Sequence, residues 1–371
     1  MASSGEIGRR RARGGQGSGC GPIDFVVTWV DGTDPAWRRS HDEAARREGL
    51  TAPGVEGGRP RGGGSGATDD ASQRYRDMGT LRYWFRGVDA FAPWVRTVHL
   101  VTSGQVPDWL DTDNERLHLV AHDQFMPAGC LPTFNSNAIE LCLGRIPGLA
   151  QRFVSFNDDF FVVGPIEPDD LFRDGLPRDI LACQPVIANP RNPVMSHIFL
   201  NNALLLSRHF DKRTVMRARP GGFFHLGYPM RYLLYNLVEL AFPQMTGFYT
   251  PHGPAAMLRA TYDAVWRAEP EALGATVASR FRGDGDVSIY ALQEWQKLSG
   301  SFVPANVCRR LGYYALERDG DLARLERDLA GGRRAFACVN DGPCVDFPAR
   351  SARVRAALER LLPAPCSFER A

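Results

Sequence analysis

Hydrophobic positions in this chain follow two patterns: short β-branched or aromatic runs, and longer stretches with apolar residues every three or four positions. The first pattern is typical of buried strands and the second of helices. The predicted strands are 23–30, 97–102, 117–121, 152–163, 180–186 and 336–342. The predicted helices are 37–48, 78–91, 136–146, 167–172, 198–210, 230–242, 255–266, 269–278, 288–298, 322–329 and part of 346–371, with loops at 51–71 and 190–196. Strands alternating with helices predict an α/β fold with a mainly parallel sheet.

The run 152–163 (RFVSFNDDFFVV) is the most informative stretch, because its apolar residues surround Asp158 and Asp159. An unpaired buried carboxylate costs several kcal/mol. Either the strand ends at Asn157 and delivers both carboxylates to an open crevice, or a cation meets them. Ligands bind at the carboxyl ends of strands in open α/β sheets, and oxygen ligands suit Mg²⁺ or Mn²⁺. An acidic turn without function is the simpler alternative.

A second predicted strand, 336–342, ends in Asn340 and Asp341. Two strands that both end in Asn-Asp would form an oxygen-rich cation site if their ends met. The sequence therefore predicts that Asp158, Asp159, Asn340 and Asp341 hold a divalent ion.

Other candidates lie at turns and helix starts. Asp31 and Gly32 follow the first strand, where Asp31 either meets a nucleotide or closes an Asx-turn. Arg74 and Arg76 flank a tyrosine, which is typical of a phosphate clamp but also of a solvated helix start. Further candidates are Asn135 and Asn137, at a helix N-terminus suited to an anion, and His252, between prolines on a stiff loop. Such a histidine can act as a general base, although a lone histidine is more often structural.

Composition excludes several classes of protein. With 44 basic and 42 acidic residues the net charge is +2, so no nucleic-acid partner is expected. The basic run at 9–13 is not followed by an apolar segment, and no stretch of about 18 apolar residues occurs, so neither a signal peptide nor a membrane span is predicted. Scattered cysteines favour reduced thiols and a cytoplasmic location. The basic run could contact an anionic membrane surface, but it is more typical of a disordered leader.

These composition changes suggest four parts. We predict a leader at 1–21, an α/β half at 22–190 with a mobile Gly-rich loop at 51–71, a mostly helical half at 191–345 that completes the site, and a C-terminal helix and tail at 346–371.

Four blocks in order resemble the Stealth family, which comprises bacterial capsular-polysaccharide phosphotransferases and the catalytic region of the lysosomal-enzyme N-acetylglucosamine-1-phosphotransferase. The blocks are 23–35 (IDFVVTWVDGTDP), 74–159 (from RYRD to FNDD, with FNSNAIE at 134–140), 247–287 (with GFY, His252, SRFR at 279–282 and Asp286-Val287) and 338–342 (CVNDG). The resemblance covers most of residues 23–342.

This resemblance implies a Rossmann-like nucleotide-sugar transferase fold with a helical substrate-capping region. It also implies transfer of a sugar-1-phosphate from a nucleotide-activated sugar to a glycan hydroxyl, which forms a phosphodiester, with Mg²⁺ or Mn²⁺ as cofactor. His252 would be the base, with Asp286 as the next candidate; Arg282 would stabilise phosphoryl oxygens and Asp158 would act with the metal. Arg280 is expected to bind substrate together with Asp31, Gly32, Arg74, Arg76, Asn135 and Asn137.

Two alternatives remain open. A metal-dependent glycosyltransferase could use the same donor but would form a glycosidic bond. A non-catalytic nucleotide-sugar or glycan-binding relative would be favoured if a key residue were replaced; Asp158, Asp159, His252, Arg282 and Asp341 are all present. The sequence leaves peripheral association with the inner face of the membrane open.

Overall fold

The computed structural model of the protein describes residues 21–50, 69, 74–342, 344 and 346–370. The predicted leader 1–21 and loop 51–71 lie outside the described residues, apart from Gly21 and Asp69.

The described chain forms thirteen strands and thirteen α-helices. The strands are β1 Ile23–Thr28, β2 Val98–Thr102, β3 Leu117–Ala121, β4 Arg152–Asn157, β5 Phe160–Val162, β6 Phe172–Arg173, β7 Leu176–Asp179, β8 Ala182–Cys183, β9 Phe248–Tyr249, β10 Ala255–Leu258, β11 Val303–Pro304, β12 Leu311–Ala315 and β13 Phe336–Asn340. The helices are α1 Pro35–Arg47, α2 Leu81–Phe91, α3 Ser136–Cys142, α4 Pro168–Leu171, α5 Pro193–His209, α6 Lys212–Ala218, α7 Pro220–Phe223, α8 Met230–Glu239, α9 Arg259–Ala268, α10 Pro270–Ala278, α11 Ile289–Leu298, α12 Asp319–Ala330 and α13 Phe347–Leu361.

A five-stranded sheet in the order β10-β4-β1-β2-β3 organises the molecule. Strands β4, β1, β2 and β3 are parallel, and β10 runs antiparallel along one edge. This arrangement confirms the predicted mainly parallel α/β sheet. Thr28 pairs with Asn157 on one side and Val101 on the other, so the carboxyl ends of three strands lie level with one another.

Both faces of this sheet are covered. Successive side chains of a strand point to opposite faces. Phe25 and Val27 pack with Trp84 of α2, whereas Val26 packs in a second cluster that includes Leu141 of α3 and Val265 of α9. Burial on both faces explains why the strands read as nearly continuous apolar runs.

A buried ion network fixes the start of the sheet. Arg96 donates two hydrogen bonds to the Asp24 carboxylate, with N–O distances of 2.7 and 2.5 Å, and the Ala150 amide donates a third at 2.7 Å. His99 lies 3.1 Å away from the same carboxylate and is buried, which confirms the prediction of a core histidine. Burial raises the pKa of Asp24, but the bonds from Arg96, His99 and Ala150 outweigh it and the net pKa is lowered.

Several predicted boundaries are wrong. Residues 255–258 form strand β10 rather than the start of a helix, because they pair with β4 at the sheet edge although Ala, Met and Leu favour helices. Of the predicted strand 180–186 only Ala182–Cys183 is a strand, paired with β9. Helix α5 begins at Pro193, inside the predicted loop, where the Asn192 side chain caps it. Strand β12 was not predicted separately.

Strands of the second half complete sheets of the first. Strand β10 joins the central sheet, and β12 and β13 form a three-stranded sheet with β5. The division near residue 190 therefore stays a prediction. Seven described cysteines are free thiols. None of the helices built from the described residues is long and apolar enough to cross a membrane.

Candidate active site

The acidic turn after β4 is the centre of the candidate site. Strand β4 ends at Asn157, and β5 begins at Phe160 in a different sheet, so Asp158 and Asp159 form the turn between the two. Both residues are half-buried at the carboxyl end of the central sheet. The sequence left two alternatives for this run, and the structure shows the first: the strand ends at Asn157, and the two carboxylates follow it.

The second Asn-Asp pair lies beside this turn. Strand β13 runs antiparallel to β5, and the Val339 amide donates a 2.9 Å hydrogen bond to the Asp159 carbonyl oxygen. Burial and the charges of Asp159, Asp77 and Asp341 raise the pKa of Asp158 well above its usual range. Burial, with Asp341 nearby, raises the pKa of Asp159 to about 7. The two acidic strand ends therefore form one electronegative cluster.

Arg76 holds Asp341 in this cluster. Its Nε and Nη2 donate to the two carboxylate oxygens of Asp341 at 3.0 and 2.8 Å, and its guanidinium stacks 4.2 Å from the centre of the Phe347 ring. Such a bidentate pair fixes the orientation of both groups. Arg76 thus contacts a protein carboxylate, and its predicted contact with substrate stays a prediction.

His252 reaches the acidic cluster from a loop before β10. Its Nε2 lies 3.9 Å from Oδ2 of Asp159, and its Nδ1 is 2.8 Å from the Tyr290 hydroxyl. The side chain is 35 % exposed, so a substrate can approach it. Burial, with Arg282 and Arg74 nearby, lowers the pKa of His252 to about 4. The imidazole is therefore neutral near pH 7; when Nδ1 donates to Tyr290, the lone pair on Nε2 is free to accept a proton.

Two arginines, Arg282 and Arg74, lie close enough to His252 for their charges to lower its pKa. Arg282 donates to the hydroxyl of Ser136, the first residue of α3, and lies 3.7 Å from the sulfur of Met195. Arg74 forms an ion pair with Asp69. Burial and then the charge of Arg74 lower the pKa of Arg282. Two cations that repel each other beside a helix start form a suitable environment for a multiply charged anion.

Asp286 organises the segment that carries Arg282. Its Oδ2 accepts hydrogen bonds from the side chains of Asn135 and Asn137 at 2.8 and 3.2 Å and from the Gly283 amide at 3.1 Å. Asn135 also caps α3, as predicted. Because Asp286, Asn135 and Asn137 are all buried, this geometry fits the positioning of Arg282 better than direct contact with substrate.

The remaining predicted residues make hydrogen bonds within the protein. Asp31 closes an Asx-turn: its Oδ1 accepts from the Thr33 amide at 2.8 Å and from the Thr33 hydroxyl at 2.6 Å. The amide of Gly32 donates to the Tyr75 carbonyl oxygen, 3.1 Å away. Arg280 donates to the Pro132 carbonyl oxygen at 2.8 Å. Direct substrate contacts by Asp31, Gly32 and Arg280 stay predictions.

Sequence reasoning missed three groups. Glu140 is buried, and burial raises its pKa to about 7 against the opposing charge of Arg282. Tyr290, on α11, fixes His252, and Asp77 adds charge beside Asp158. Asp77 and Glu140 lie in the segments that carry the resemblance, which could have signalled them; Tyr290 has no signal in the sequence.

One group of His, Cys, Asp and Glu side chains among the described residues converges closely enough to hold a metal, and it shares only Asp159 with the predicted set. Asp159, His252 and Cys338 bring one ligand atom each within 4.8 Å of one another. Burial raises the pKa of the Cys338 thiol well above its usual value, and a protonated thiol is a poor ligand. The predicted set is richer in oxygen; burial first, and then the neighbouring carboxylates, raise the pKa values of Asp158 and Asp159, and a bound cation would lower them. The donor chemistry therefore fits Mg²⁺ or Mn²⁺ better than a soft metal.

A cavity of about 360 Å³ opens beside the acidic cluster. Asp77 lies in its wall, and the other wall residues include the aromatic side chains of Trp29, Tyr83 and Trp109 and the arginines Arg82 and Arg355. Aromatic side chains next to guanidinium groups suit a ligand in which a flat ring is joined to a negatively charged group.

The chain is similar in sequence to known proteins over most of its length. "Stealth protein CR1, conserved region 1" matches residues 21–49, and "Stealth protein CR2, conserved region 2" matches residues 74–179. The chain is 36 % identical to the receptor polysaccharide phosphotransferase WefC of Streptococcus gordonii, over 94 % of this chain and 98 % of WefC. It is 35 % identical to the capsular polysaccharide phosphotransferase WcwK of Streptococcus pneumoniae, over 94 % and 99 % of the two chains. It is 32 % identical to the exopolysaccharide phosphotransferase cps2G of Lactiplantibacillus plantarum, over 95 % and 98 %.

Proposed function

The chain belongs to the Stealth family, and from that premise we propose that it transfers a sugar-1-phosphate from a nucleotide-activated sugar to a hydroxyl of a glycan. Its relatives are named polysaccharide phosphotransferases, and the chain has that role in cell-surface polysaccharide synthesis. We further propose that the donor is a nucleotide sugar, that the transferred group is a sugar-1-phosphate and that the protein acts in the cytoplasm.

One observation supports the proposal: residues far apart in sequence lie close together. The turn Asp158–Asp159 lies next to β13, His252 approaches Asp159, and the charge of Arg282 lowers the pKa of His252. Transfer at phosphorus needs charge neutralisation, in-line positioning and a base for the attacking hydroxyl. The cleft contains a group suited to each of these tasks.

The donor's diphosphate would lie between the acidic cluster and the two arginines. Arg282 and Arg74 would bind its non-bridging oxygens. Asp158, Asp159, Asn340 and Asp341 would hold Mg²⁺ or Mn²⁺, which supplies Lewis-acid neutralisation of the diphosphate when bound. Arg76 would orient Asp341 through the bidentate pair.

The acceptor hydroxyl would approach from the side of His252. Its oxygen forms a new bond to the phosphorus next to the sugar, and its proton passes to Nε2 of His252. The bond between that phosphorus and the bridging oxygen breaks, and the nucleoside monophosphate leaves with the bonding electrons. The product is a phosphodiester that joins the sugar to the glycan. Tyr290 holds the ring so that Nε2 faces the cleft.

The aromatic cavity supports the choice of a nucleotide donor. It lies at the carboxyl end of β1, where Trp29 begins the turn that contains Asp31. Stacking against aromatic faces would bind the base, and Arg82 or Arg355 would bind the leaving phosphate.

The leaving nucleotide distinguishes this reaction from its rival. With Mg²⁺, a panel of nucleotide diphosphate sugars and a glycan acceptor, the proposal predicts release of a nucleoside monophosphate that depends on the acceptor. Chromatography of the released nucleotide measures it. Release of the nucleoside diphosphate would show glycosyl transfer instead. Equal monophosphate release without acceptor would show hydrolysis, which would also overturn the proposal.

A further inference from the structure

Helix α8 and its flanking residues present an apolar surface to solvent, which we call the α8 face. It consists of residues 41–94 % exposed: Leu226, Met230, Leu234, Leu237, Val238, Leu240 and Phe242. All of residues 226–244 are described, and their charged members are Arg231, which is exposed, and Glu239, which is buried. A continuous apolar surface of this kind on a folded chain marks an interaction site.

The helix is attached to the protein by the buried ring of Tyr232 and by two polar side chains. Asn236 is buried; it accepts a hydrogen bond from the Cys183 amide at 2.6 Å and donates to the Leu181 and Phe223 carbonyls at 3.0 and 2.6 Å. Glu239 is also buried, and its carboxylate accepts from the amide and the hydroxyl of Thr246 at 3.0 and 2.6 Å. A surface helix normally turns its apolar side inward. Here specific polar contacts hold the apolar side outward.

The segment that contains this face is basic, and the start of α6 meets the end of α8, where Lys212 donates to the Glu239 and Gln244 carbonyl oxygens. Residues 191–245 contain seven basic and two acidic residues, a formal charge of +5, whereas the whole chain carries +2 and the rest therefore carries −3. Of the two acidic residues, Glu239 is buried beside Lys212, and Asp211 caps α6. Arg213, Arg217 and Arg219 are exposed.

We propose that the α8 face docks the protein on an anionic lipid membrane. Apolar side chains would enter the boundary between headgroups and acyl chains, while the arginines would contact lipid phosphates. A second copy of the chain is a poorer occupant, because a two-fold contact would bring both basic surfaces together with few carboxylates to balance them. This inference depends on surface chemistry and does not rest on the proposed reaction.

Sedimentation of the full chain with vesicles tests the docking. We expect binding to vesicles of phosphatidylcholine with about a third phosphatidylglycerol, weaker binding to pure phosphatidylcholine, and loss of binding at high salt. The double variant Leu234→Ser/Leu237→Ser should reduce partitioning by about tenfold or more, because it removes two inserted side chains. Val106→Ser, at a residue 43 % exposed outside this face, is the matched control and should bind as wild type.

A second pair of variants tests the charge. Arg213→Glu/Arg217→Glu should weaken binding to the anionic vesicles, whereas Arg327→Glu, at another exposed helical arginine, should not. Urea unfolding of each variant checks that its fold is intact. The proposal is wrong if the wild type stays in solution with anionic vesicles, or if the double leucine variant binds as well as the wild type. A third outcome also contradicts it: the wild type does not bind vesicles, and light scattering shows that it is a dimer which Leu234→Ser/Leu237→Ser dissociates.

Discussion

Replacement of His252 separates a catalytic from a structural histidine. His252 lies 3.9 Å from Asp159 through Nε2 and 2.8 Å from the Tyr290 hydroxyl through Nδ1. His252→Ala removes the proposed proton acceptor, while Asp159 and Tyr290 remain. Tyr290→Phe keeps the ring and removes the hydroxyl that holds the imidazole.

The two changes differ in expected size. Loss of a general base lowers turnover by about 10²- to 10⁴-fold, or roughly 3–5 kcal/mol in the barrier. Loss of one neutral hydrogen bond costs about 1 kcal/mol, so Tyr290→Phe should lower turnover by roughly fivefold. Because the imidazole acts on the acceptor proton, both losses should appear mainly in kcat, with KM for the donor nearly unchanged.

Initial rates of phosphodiester formation measure both effects. His225→Ala, at an exposed histidine outside the site, is the matched control and should keep wild-type turnover. Urea unfolding checks that the variants are folded. If His252→Ala retains turnover within about threefold of the wild type, the histidine is not the base. If Tyr290→Phe loses as much as His252→Ala, the tyrosine does more than hold the ring.

Three further predictions concern the metal, the turn after β1 and the start of the sheet. Chelation should abolish turnover and added Mg²⁺ or Mn²⁺ should restore it, whereas Asp159→Asn should not be rescued by excess metal; sustained turnover in chelator would contradict the metal proposal. Gly32→Ala should destabilise the fold by about 1–3 kcal/mol in urea, because a Cβ would lie 2.2 Å from the Tyr75 carbonyl oxygen; unchanged stability would refute that close approach. Asp24→Asn should cost about 2 kcal/mol in the same assay, because the buried position loses charge-assisted hydrogen bonds from Arg96 and the Ala150 amide, and unchanged stability would contradict this.

The central sheet was predictable because its strands are buried on both faces. Phe25, Val26 and Val27 read as one apolar run, and all three are fully buried. The end of β4 was predictable for a different reason: two carboxylates cannot continue a buried strand without partners. By contrast, β10 was read as a helix because its composition favours one, and only pairing with β4 makes it a strand.

The sequence indicated which residues belong to the candidate site, but it did not indicate how they contact one another. Local sequence patterns singled out Arg76 and Asp341 separately, but their bidentate contact joins residues 265 positions apart, and no local pattern encodes it. The resemblance suggested Asp286 as the second candidate for the base, whereas its burial and its three hydrogen-bond donors suggest that it positions other groups. Tyr290 lies on an ordinary helix, so its contact with His252 follows from tertiary packing alone.

The most direct test of the central claim is a donor labelled in both the sugar and the phosphorus next to it. After incubation with Mg²⁺ and acceptor, the two labels are counted in the purified glycan. Sugar-1-phosphate transfer predicts one labelled phosphorus per labelled sugar, and His252→Ala should reduce both labels together. Labelled sugar in the glycan without labelled phosphorus would contradict the account.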